Sequence, residues 1–167
     1  FLKYLPPLEY CRIFAGNIYI PTLMLIIKKI AVYINILNSR IKKHFDDRLE
    51  ENNINMTPEQ YLVMDILWDE QSLSQQRIAD IIQKDKNSVT KFIDSLEKKN
   101  LVFRTVDAND RRINKIELTE EGRRLKEPTT QVAIKFMNDT IAGIDDSDLE
   151  TFVRVLQQIK NNLDKNK

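Results

Sequence analysis

The sequence is poor in the residues from which catalytic and cofactor sites are commonly built. Its 167 residues include three glycines, Gly16, Gly122 and Gly143, which lie far apart. Loops that cradle phosphate groups need clustered glycines, so we find no nucleotide-binding motif. One histidine, His44, and one cysteine, Cys11, cannot form a His/Cys metal cluster or a disulfide within one chain. No carboxylate pair or nucleophile–base set stands out, and we expect neither an enzyme nor a bound cofactor or metal.

Long uninterrupted apolar segments are lacking as well. The apolar stretch from Ile13 to Ile27 contains glycine, asparagine, proline and threonine, which makes it too interrupted for a membrane helix. It has no Ala-x-Ala-like cleavage site, so a secretory signal is not expected either. We interpret residues 1–26 as an N-terminal extension that packs as an arm in a dimer seam, with a membrane contact as the alternative. Stable membrane insertion is not expected.

The single cysteine is compatible with a reducing cytoplasm, where we expect the protein to reside. Cys11 lies beside Arg12 and well upstream of the first predicted helix. A bystander role is favoured over redox sensing at this thiol. His44 follows Lys43 on that helix and is interpreted as a surface or seam residue.

Amphipathic helices are predicted towards both ends of the chain, and their apolar faces need a partner. From Ile27 to Leu49 apolar residues recur every three or four positions, which predicts one long helix. A last helix from about Ser147 is predicted to bury these apolar side chains: Leu149, Phe152, Val153, Leu156, Ile159 and Leu163. The central part of the chain is too small to cover both faces. We therefore predict a homodimer whose helical dimerisation module comprises residues 27–52 and 125–167.

Capping residues predict the starts of three helices in the central part of the chain. Thr57-Pro58-Glu59-Gln60 is a capping residue, a proline at the first helical position and a glutamine three residues after the cap. Ser74 and Asp85 are the predicted caps of the next two helices. The predicted buried residues of the three helices are Tyr61, Leu62, Ile66 and Leu67; Ile78, Ala79, Ile81 and Ile82; and Val89, Phe92, Ile93 and Leu96.

A strand pair with a charged tip follows the third of these helices. Val102, Arg104 and Val106 alternate with Phe103 and Thr105, and a similar alternation runs from Lys115 to Leu118. Thr119 then caps a helix that Pro128 is expected to kink. The order helix, turn, helix and hairpin predicts a winged helix-turn-helix over residues 53–124. The fold class is thus mainly α with a small β-hairpin wing (α+β).

Positive charge is concentrated in this part of the chain. The net charge is only +1, but residues 74–124 contain 12 Lys and Arg against 9 Asp and Glu. Both flanking segments have one more acidic than basic residue. Because Lys and Arg neutralise the charge of DNA phosphates, the distribution points to double-stranded DNA as the partner.

The exposed face of the helix after Asp85 has the donors and acceptors that base contacts need. Asn87 can bind adenine with two hydrogen bonds, Lys86 and Lys91 suit guanine or phosphate, and Ser88 and Thr90 can serve either. Three residues in the first turn of the preceding helix are predicted to contact phosphates: Gln75, Gln76 and Arg77. The alternative for each residue is an ordinary solvated helix face.

The tip of the hairpin carries two adjacent arginines. Arg112 is predicted to enter the minor groove with Asp110 fixing its orientation, while Arg111 contacts the DNA backbone. The alternative is a hairpin that its charges merely keep soluble.

Residues from about Ile27 to Leu163 resemble the MarR family of bacterial winged-helix transcription regulators. The resemblance rests on the start of the Thr57 helix, on Ser74-Gln-Gln-Arg-Ile-Ala, on the segment from Ser88 to Val102, and on Asp110-Arg-Arg running to Leu118-Thr-Glu-Glu-Gly-Arg. Ala108 stands where proline is common in the family, and Asn100 replaces the usual glycine. The resemblance implies an obligate homodimer on an inverted-repeat operator and, often, a small-molecule effector.

The predicted function is that of a sequence-specific DNA-binding transcriptional regulator, with repression as the expected outcome. The alternative is a winged-helix module that binds another protein and has no sequence-specific DNA binding. Adjacent Arg111 and Arg112 at the tip favour DNA, because a protein-docking module has no need for them there.

An effector, if present, is predicted to be small and apolar or amphiphilic. The site predicted for it lies between the first long helix and the winged domain, where ionisable groups are few. The five candidate residues are Tyr33, Leu37, Ile41, Tyr61 and Trp68. All five are alternatively explained as core residues.

Overall fold

A computed structural model describes residues 20–106 and 114–165, with side chains from residue 24 onward. The chain divides into two units, residues 1–47 and 48–167. Its elements are α1 (Ile20–Glu51), α2 (Pro58–Glu70), β1 (Ser72–Ser74), α3 (Gln75–Ile82), α4 (Lys86–Lys98), β2 (Val102–Val106), β3 (Asn114–Leu118), α5 (Glu120–Arg124), α6 (Lys126–Ile141) and α7 (Asp146–Lys165). Cys11, most of the predicted extension 1–26, and the hairpin tip with Asp110, Arg111 and Arg112 lie outside the described residues.

Helix α1 begins at Ile20, seven residues before the predicted start at Ile27. Pro21 does not break it, because it occupies the first turn, where a missing N–H leaves no helical hydrogen bond unmade. The helix ends at Glu51, and Asn53 follows in the left-handed conformation with φ of 58°. None of the helices in the described ranges has the length and apolar character that a membrane span requires.

The start of α2 confirms the predicted cap. The Thr57 hydroxyl accepts from the Gln60 N–H at 3.3 Å, and the Gln60 side chain accepts from the Thr57 N–H at 3.2 Å. The predicted buried face of α2 was wrong in part. Leu62 is 43% exposed, whereas Val63 and Met64 are fully buried. The buried stripe is rotated by about one residue, so the helix places Trp68, and not Tyr61, in the core.

Helices α3 and α4 also begin at their predicted caps, Ser74 and Asp85. Ile78 of α3 is fully buried, but Ile81, predicted to be inside, is 40% exposed. Helix α4 buries Val89, Ile93 and Leu96 completely, and Phe92 is half-buried. This spacing of four and three residues gives α4 one core face and one outward face.

The sheet has three antiparallel strands in the order β1-β3-β2 and not the two that were predicted. Leu73 of β1 pairs with Ile116, and Arg104 of β2 lies opposite Ile116 from the other side. Strand β1 was missed because three residues are too few to show an alternation. Val102, Ile116 and Leu118 form the buried face of the sheet. The fold class, mainly α with a small β wing, is confirmed.

The chain after β3 forms three helices where two were predicted. Thr119 caps α5 as expected, with its hydroxyl 2.9 Å from the Gly122 N–H. A new helix, α6, begins after Leu125, because Pro128 cannot donate to the carbonyl four residues earlier and so interrupts the helical ladder. Helix α7 contains no buried side chain within the chain, and Phe152 and Leu163 are 52% and 66% exposed. The apolar side chains of α7 that were predicted to be buried are therefore not buried within a single chain.

Gly122 is the point where the start of α5 meets the rest of the winged domain. Its carbonyl accepts from the Trp68 indole Nε1–H at 2.8 Å. A Cβ placed on Gly122 would lie 2.1 Å from the carbonyl oxygen of Leu101. That oxygen also accepts from the Thr119 N–H at 3.1 Å, so it cannot retreat without breaking the junction between β3 and α5.

We expect Gly122→Ala to destabilise the fold by about 2 kcal/mol or more, because overpacking against backbone forces it to shift. Ordinarily alanine stabilises a helical position relative to glycine by roughly 1 kcal/mol. Gly143→Ala is the matched control: it has open space around the Cβ and a φ of 79°, so its loss should be smaller. Urea unfolding of both variants measures the difference, and a Gly122→Ala protein more stable than the original would contradict the packing described here.

Candidate nucleic-acid interface

The outward face of α4 is defined by Lys86, Asn87 and Lys91. All three side chains are exposed, and the structure gives them no hydrogen bond or ion pair with any other residue in the described ranges. Asn87 and Lys91 are separated by four residues, which places them one turn apart on the same side of the helix. The buried stripe of Val89, Ile93 and Leu96 lies opposite Asn87 and Lys91, while Lys86 is exposed at the first position of the helix. These three polar groups are thus free to bind an external partner.

Two other predicted contact residues use their polar groups to join α3 to α4. The Gln75 side-chain amide donates to the Thr90 hydroxyl. The same hydroxyl donates to the Lys86 carbonyl at 2.8 Å. Because the Thr90 hydroxyl already donates one hydrogen bond and accepts another, it retains only one acceptor lone pair, and the bond from Gln75 links α3 to α4.

Ser88 belongs to the cap of α4. Asp85 Oδ1 accepts from the Ser88 N–H at 2.9 Å, and Asp85 Oδ2 accepts from the Ser88 hydroxyl at 2.6 Å. These hydrogen bonds to Ser88 hold the pKa of Asp85 below its ordinary value of 3.8. The capping carboxylate stays ionised at neutral pH, and the Ser88 hydroxyl retains only acceptor capacity.

The first turn of α3 offers one free cation. Arg77 is exposed, and its backbone N–H is held by the Ser74 hydroxyl at 3.2 Å. No partner within the described ranges binds its guanidinium. Gln76 is also exposed, but its amide donates to Asp80 at 2.9 Å. Among the predicted contact residues of α3 and α4, those whose charged or amide groups have no partner in the described ranges are therefore Arg77, Lys86, Asn87 and Lys91.

A charged cluster that was not predicted from the sequence lies between α4 and β2. The Arg104 guanidinium donates to Asp94 and to Glu97, and the arginine side chain is only 24% exposed. The available signal was an arginine on the same side of its strand as the buried Val102.

A second network fixes the start of α2 to the end of α4. The Lys99 ammonium donates to the Gln60 side-chain oxygen at 2.9 Å and to the Asn55 carbonyl at 3.0 Å. The Gln60 amide donates to the Ser95 hydroxyl at 2.8 Å. Burial lowers the pKa of Lys99. This lysine is engaged inside the domain and is not part of the outward face.

Two of the five candidate effector residues meet in the winged domain. The rings of Tyr61 and Trp68 are in edge contact, with centroids 6.3 Å apart and planes at 62°. The Tyr61 hydroxyl donates to Asp65 at 3.2 Å, and burial raises the pKa of Tyr61 to about 12. Trp68 is 7% exposed. In the first unit Tyr33, Leu37 and Ile41 are 52%, 46% and 42% exposed.

A cavity of about 310 Å³ lies within the second unit, and none of the five predicted effector residues lines it. Its apolar wall includes Ile54, Val132 and Phe136, and its polar wall includes Arg48 and Lys135. The Arg48 guanidinium is 3.2 Å from Glu51 and 3.6 Å from Asp139. This cavity could not be predicted from sequence patterns, because its lining comes from segments about 75 residues apart. The described residues contain no group of three potential metal ligands.

Comparison with known proteins agrees with this architecture. Residues 56–113 match the model of the MarR family. The transcriptional regulator SarZ of Staphylococcus aureus is 26% identical over 112 residues, which are 67% of this chain and 74% of SarZ. A MarR transcriptional regulator from Methanosarcina mazei superposes with a TM-score of 0.72 at 22% identity, over 84% of this chain and 99% of that one.

The S. aureus MepR–DNA complex superposes with a TM-score of 0.73 at 25% identity, over 79% of this chain and 96% of MepR. The family match covers α2, β1, α3, α4 and β2, the elements that build the outward face of α4 and its support. The predicted resemblance is confirmed: residues 56–113 match the MarR family model, and the fold of the chain is similar to that of solved MarR transcriptional regulators.

Proposed function

We propose that this chain is a sequence-specific double-stranded DNA-binding transcriptional regulator in which α4 enters the major groove. The observation that carries the proposal is the outward face of α4, where Lys86, Asn87 and Lys91 are exposed and have no partner among the described residues, while Val89, Ile93 and Leu96 of the same helix are fully buried in the core. An α-helix fits the major groove of B-DNA, and an asparagine amide can bind adenine through two hydrogen bonds. SarZ is a transcriptional regulator by name, and MepR was solved bound to DNA.

The exposed Arg77, whose guanidinium has no partner among the described residues, supports the same geometry. Arg77 lies in the first turn of α3, where a guanidinium and the helix N-terminus both favour a phosphate group. Phosphate contacts of this kind fix the register of a protein on the duplex without carrying sequence information. We assign Arg77 to the DNA backbone, with Gln76 beside it, and the base contacts to α4.

We further propose a cytoplasmic homodimer acting as a repressor on an inverted repeat. The support is the exposed apolar surface at both ends of the chain, including Ile27 and Tyr33 of α1 and Phe152 and Leu163 of α7. Side chains of this size are uncommon in such number on a monomer surface. Two α4 helices related by a two-fold axis would contact two half-sites, so two chains per operator duplex are expected.

Asn87→Ala should relax base preference at one position of each half-site, whereas Lys91→Ala should weaken all sequences alike if Lys91 contacts phosphate. Loss of one bidentate base contact, made through two hydrogen bonds, lowers the free-energy discrimination against a wrong base by about 1–3 kcal/mol. Binding-site selection from random duplexes, repeated with each variant, measures both effects.

Asn138→Ala on α6 and Lys165→Ala on α7 are matched controls, since both side chains are exposed outside α3 and α4. An unchanged base preference in Asn87→Ala would refute its proposed role. A wild-type chain that selects no sequence, and is not retained on heparin, would instead favour the protein-docking module.

The wing is proposed to add a minor-groove contact through Arg112, oriented by Asp110, with Arg111 on the backbone. Arg112→Ala should then weaken operator binding by about 1–3 kcal/mol, and more than Arg111→Ala does. The ratio of the two dissociation constants on one selected duplex is the measurement. Equal and small losses would show that the tip contributes only diffuse charge.

A small apolar or amphiphilic effector is proposed to modulate DNA binding. Two candidate sites compete: the five predicted residues, of which Tyr61 and Trp68 form an aromatic pair (here called the aromatic set), and the cavity lined by Val132 and Phe136. The cavity combines an apolar wall with cations, which suits an amphiphile with a weakly acidic head. A ligand changes DNA affinity only as far as it prefers one arrangement of the protein over another.

Titration of aromatic and lipid-like acids, following Trp68 fluorescence and operator affinity together, tests the effector proposal. Trp68 is the only tryptophan, so its emission reports on the aromatic set directly. Val132→Phe, which fills the cavity, should abolish the response if the cavity is the site and leave it intact if the aromatic set is. Compounds that bind without changing DNA affinity would rule out an effector role for either site.

A further inference from the structure

The side chain of Arg104 joins α4 to the edge strand of the sheet. Arg104 lies in the middle of β2, directly opposite the fully buried Ile116. Residues paired in this way point to the same face of a sheet, so the arginine leaves the strand on the face that packs on the helices. Its Nη2 donates to Asp94 and its Nη1 donates to Glu97. A charged side chain on an inward face is stable only when it is paired, as it is here.

Glu97 binds the main chain of the same residue as well. Strand β2 is at an edge of the sheet, with β3 on one side only. The Arg104 N–H donates to Glu97 Oε1 at 3.3 Å, while Glu97 Oε2 accepts from the guanidinium. One carboxylate of α4 therefore holds the backbone and the side chain of one strand residue. This double attachment fixes the distance between α4 and β2 and limits rotation of the strand.

The acidic partners of Arg104 lie beside the residues proposed to contact DNA. Asp94 follows Lys91 by three positions and Asn87 by seven, a spacing that returns to the same side of a helix. Asp94 and Glu97 are still 48% and 38% exposed. Without Arg104, two uncompensated carboxylates would stand near the phosphates that the outward face of α4 is proposed to approach.

We infer that Arg104 is a positioning residue for DNA binding: by bridging Asp94 and Glu97 it holds β2 and β3 at a fixed position against α4. The inference rests on the DNA-binding function proposed above. A planar guanidinium can donate to two carboxylates from two nitrogens at once, whereas a lysine ammonium has a different geometry and cannot reproduce the bridge. Arg104→Lys therefore keeps the charge and removes the positioning.

Amide hydrogen exchange of the free protein tests the bridge without DNA. In Arg104→Lys, exchange at residues 102–106 and 114–118 should become faster by about tenfold, while the amides of the buried side of α4 keep their protection. Arg124→Lys is the matched control, since Arg124 also contacts two carboxylates, Glu120 at 3.4 Å and Glu121 at 4.0 Å, but is 69% exposed. Unchanged exchange of the strands in Arg104→Lys would overturn the inference whatever the DNA results.

Affinity for a duplex selected by the wild-type chain tests the consequence. We expect Arg104→Lys to bind about tenfold more weakly, with a salt dependence close to that of the wild type because the charge is retained. Arg124→Lys should bind as the wild type does. Faster strand exchange with unchanged affinity would show that the bridge stabilises the sheet and has no part in DNA binding.

A charge-neutral variant separates positioning from simple repulsion. Arg104→Gln alone leaves the carboxylates of Asp94 and Glu97 without their cation. Adding Asp94→Asn and Glu97→Gln replaces both carboxylates with neutral amides. If positioning is the role, the triple variant stays weak, because no bridge is restored. If it regains wild-type affinity, repulsion explains the effect and the inference is wrong. A wild-type chain that selects no duplex would overturn the proposed function and this inference with it, while the exchange data would still report on the bridge.

Discussion

The burial of one side of α4 is the constraint on which the rest of the structure depends. Val89, Ile93 and Leu96 are each fully buried, and burial of side chains of this size contributes about 1.5–3 kcal/mol apiece. The helix therefore has one rotational setting about its axis. Asp85 fixes where it begins and Asn100, with φ of 57°, fixes where it ends. Lys86, Asn87 and Lys91 are consequently exposed in a defined direction and not by chance.

Availability of the polar groups is decided by hydrogen bonds inside the domain. The sequence placed five residues of α4 on a candidate contact face, but the structure occupies the hydroxyls of Ser88 and Thr90 with the cap and with the Lys86 carbonyl. These bonds rigidify the helix start, and they leave the longer side chains free. A rigid backbone with a few free groups is suited to sequence recognition, since little conformational freedom is lost on binding.

Local signals explain what the sequence could predict. Thr57 and Gln60, Ser74, Asp85 and Thr119 all cap helices as expected, because a cap is formed between residues three apart. The buried stripe of α4 followed from its period.

The failures are those in which distant segments decide the outcome. The β1 strand exists only because Leu73 pairs with Ile116, and the rotated core face of α2 depends on what packs against it. Arg104 was recognised as a strand residue, but its partners on α4 became visible only in three dimensions. The cavity beside Phe136 has the same explanation.

The central claim is that the outward face of α4 is the surface that contacts DNA. The most direct measurement is a titration of isotope-labelled protein with a selected operator duplex, followed by the backbone and side-chain resonances of the described residues. The account predicts that resonances of Lys86, Asn87, Lys91 and Arg77 shift the most, and that saturation occurs at two chains per duplex. If the largest shifts fell on α6 or α7, with those of α4 unchanged, the account would be contradicted.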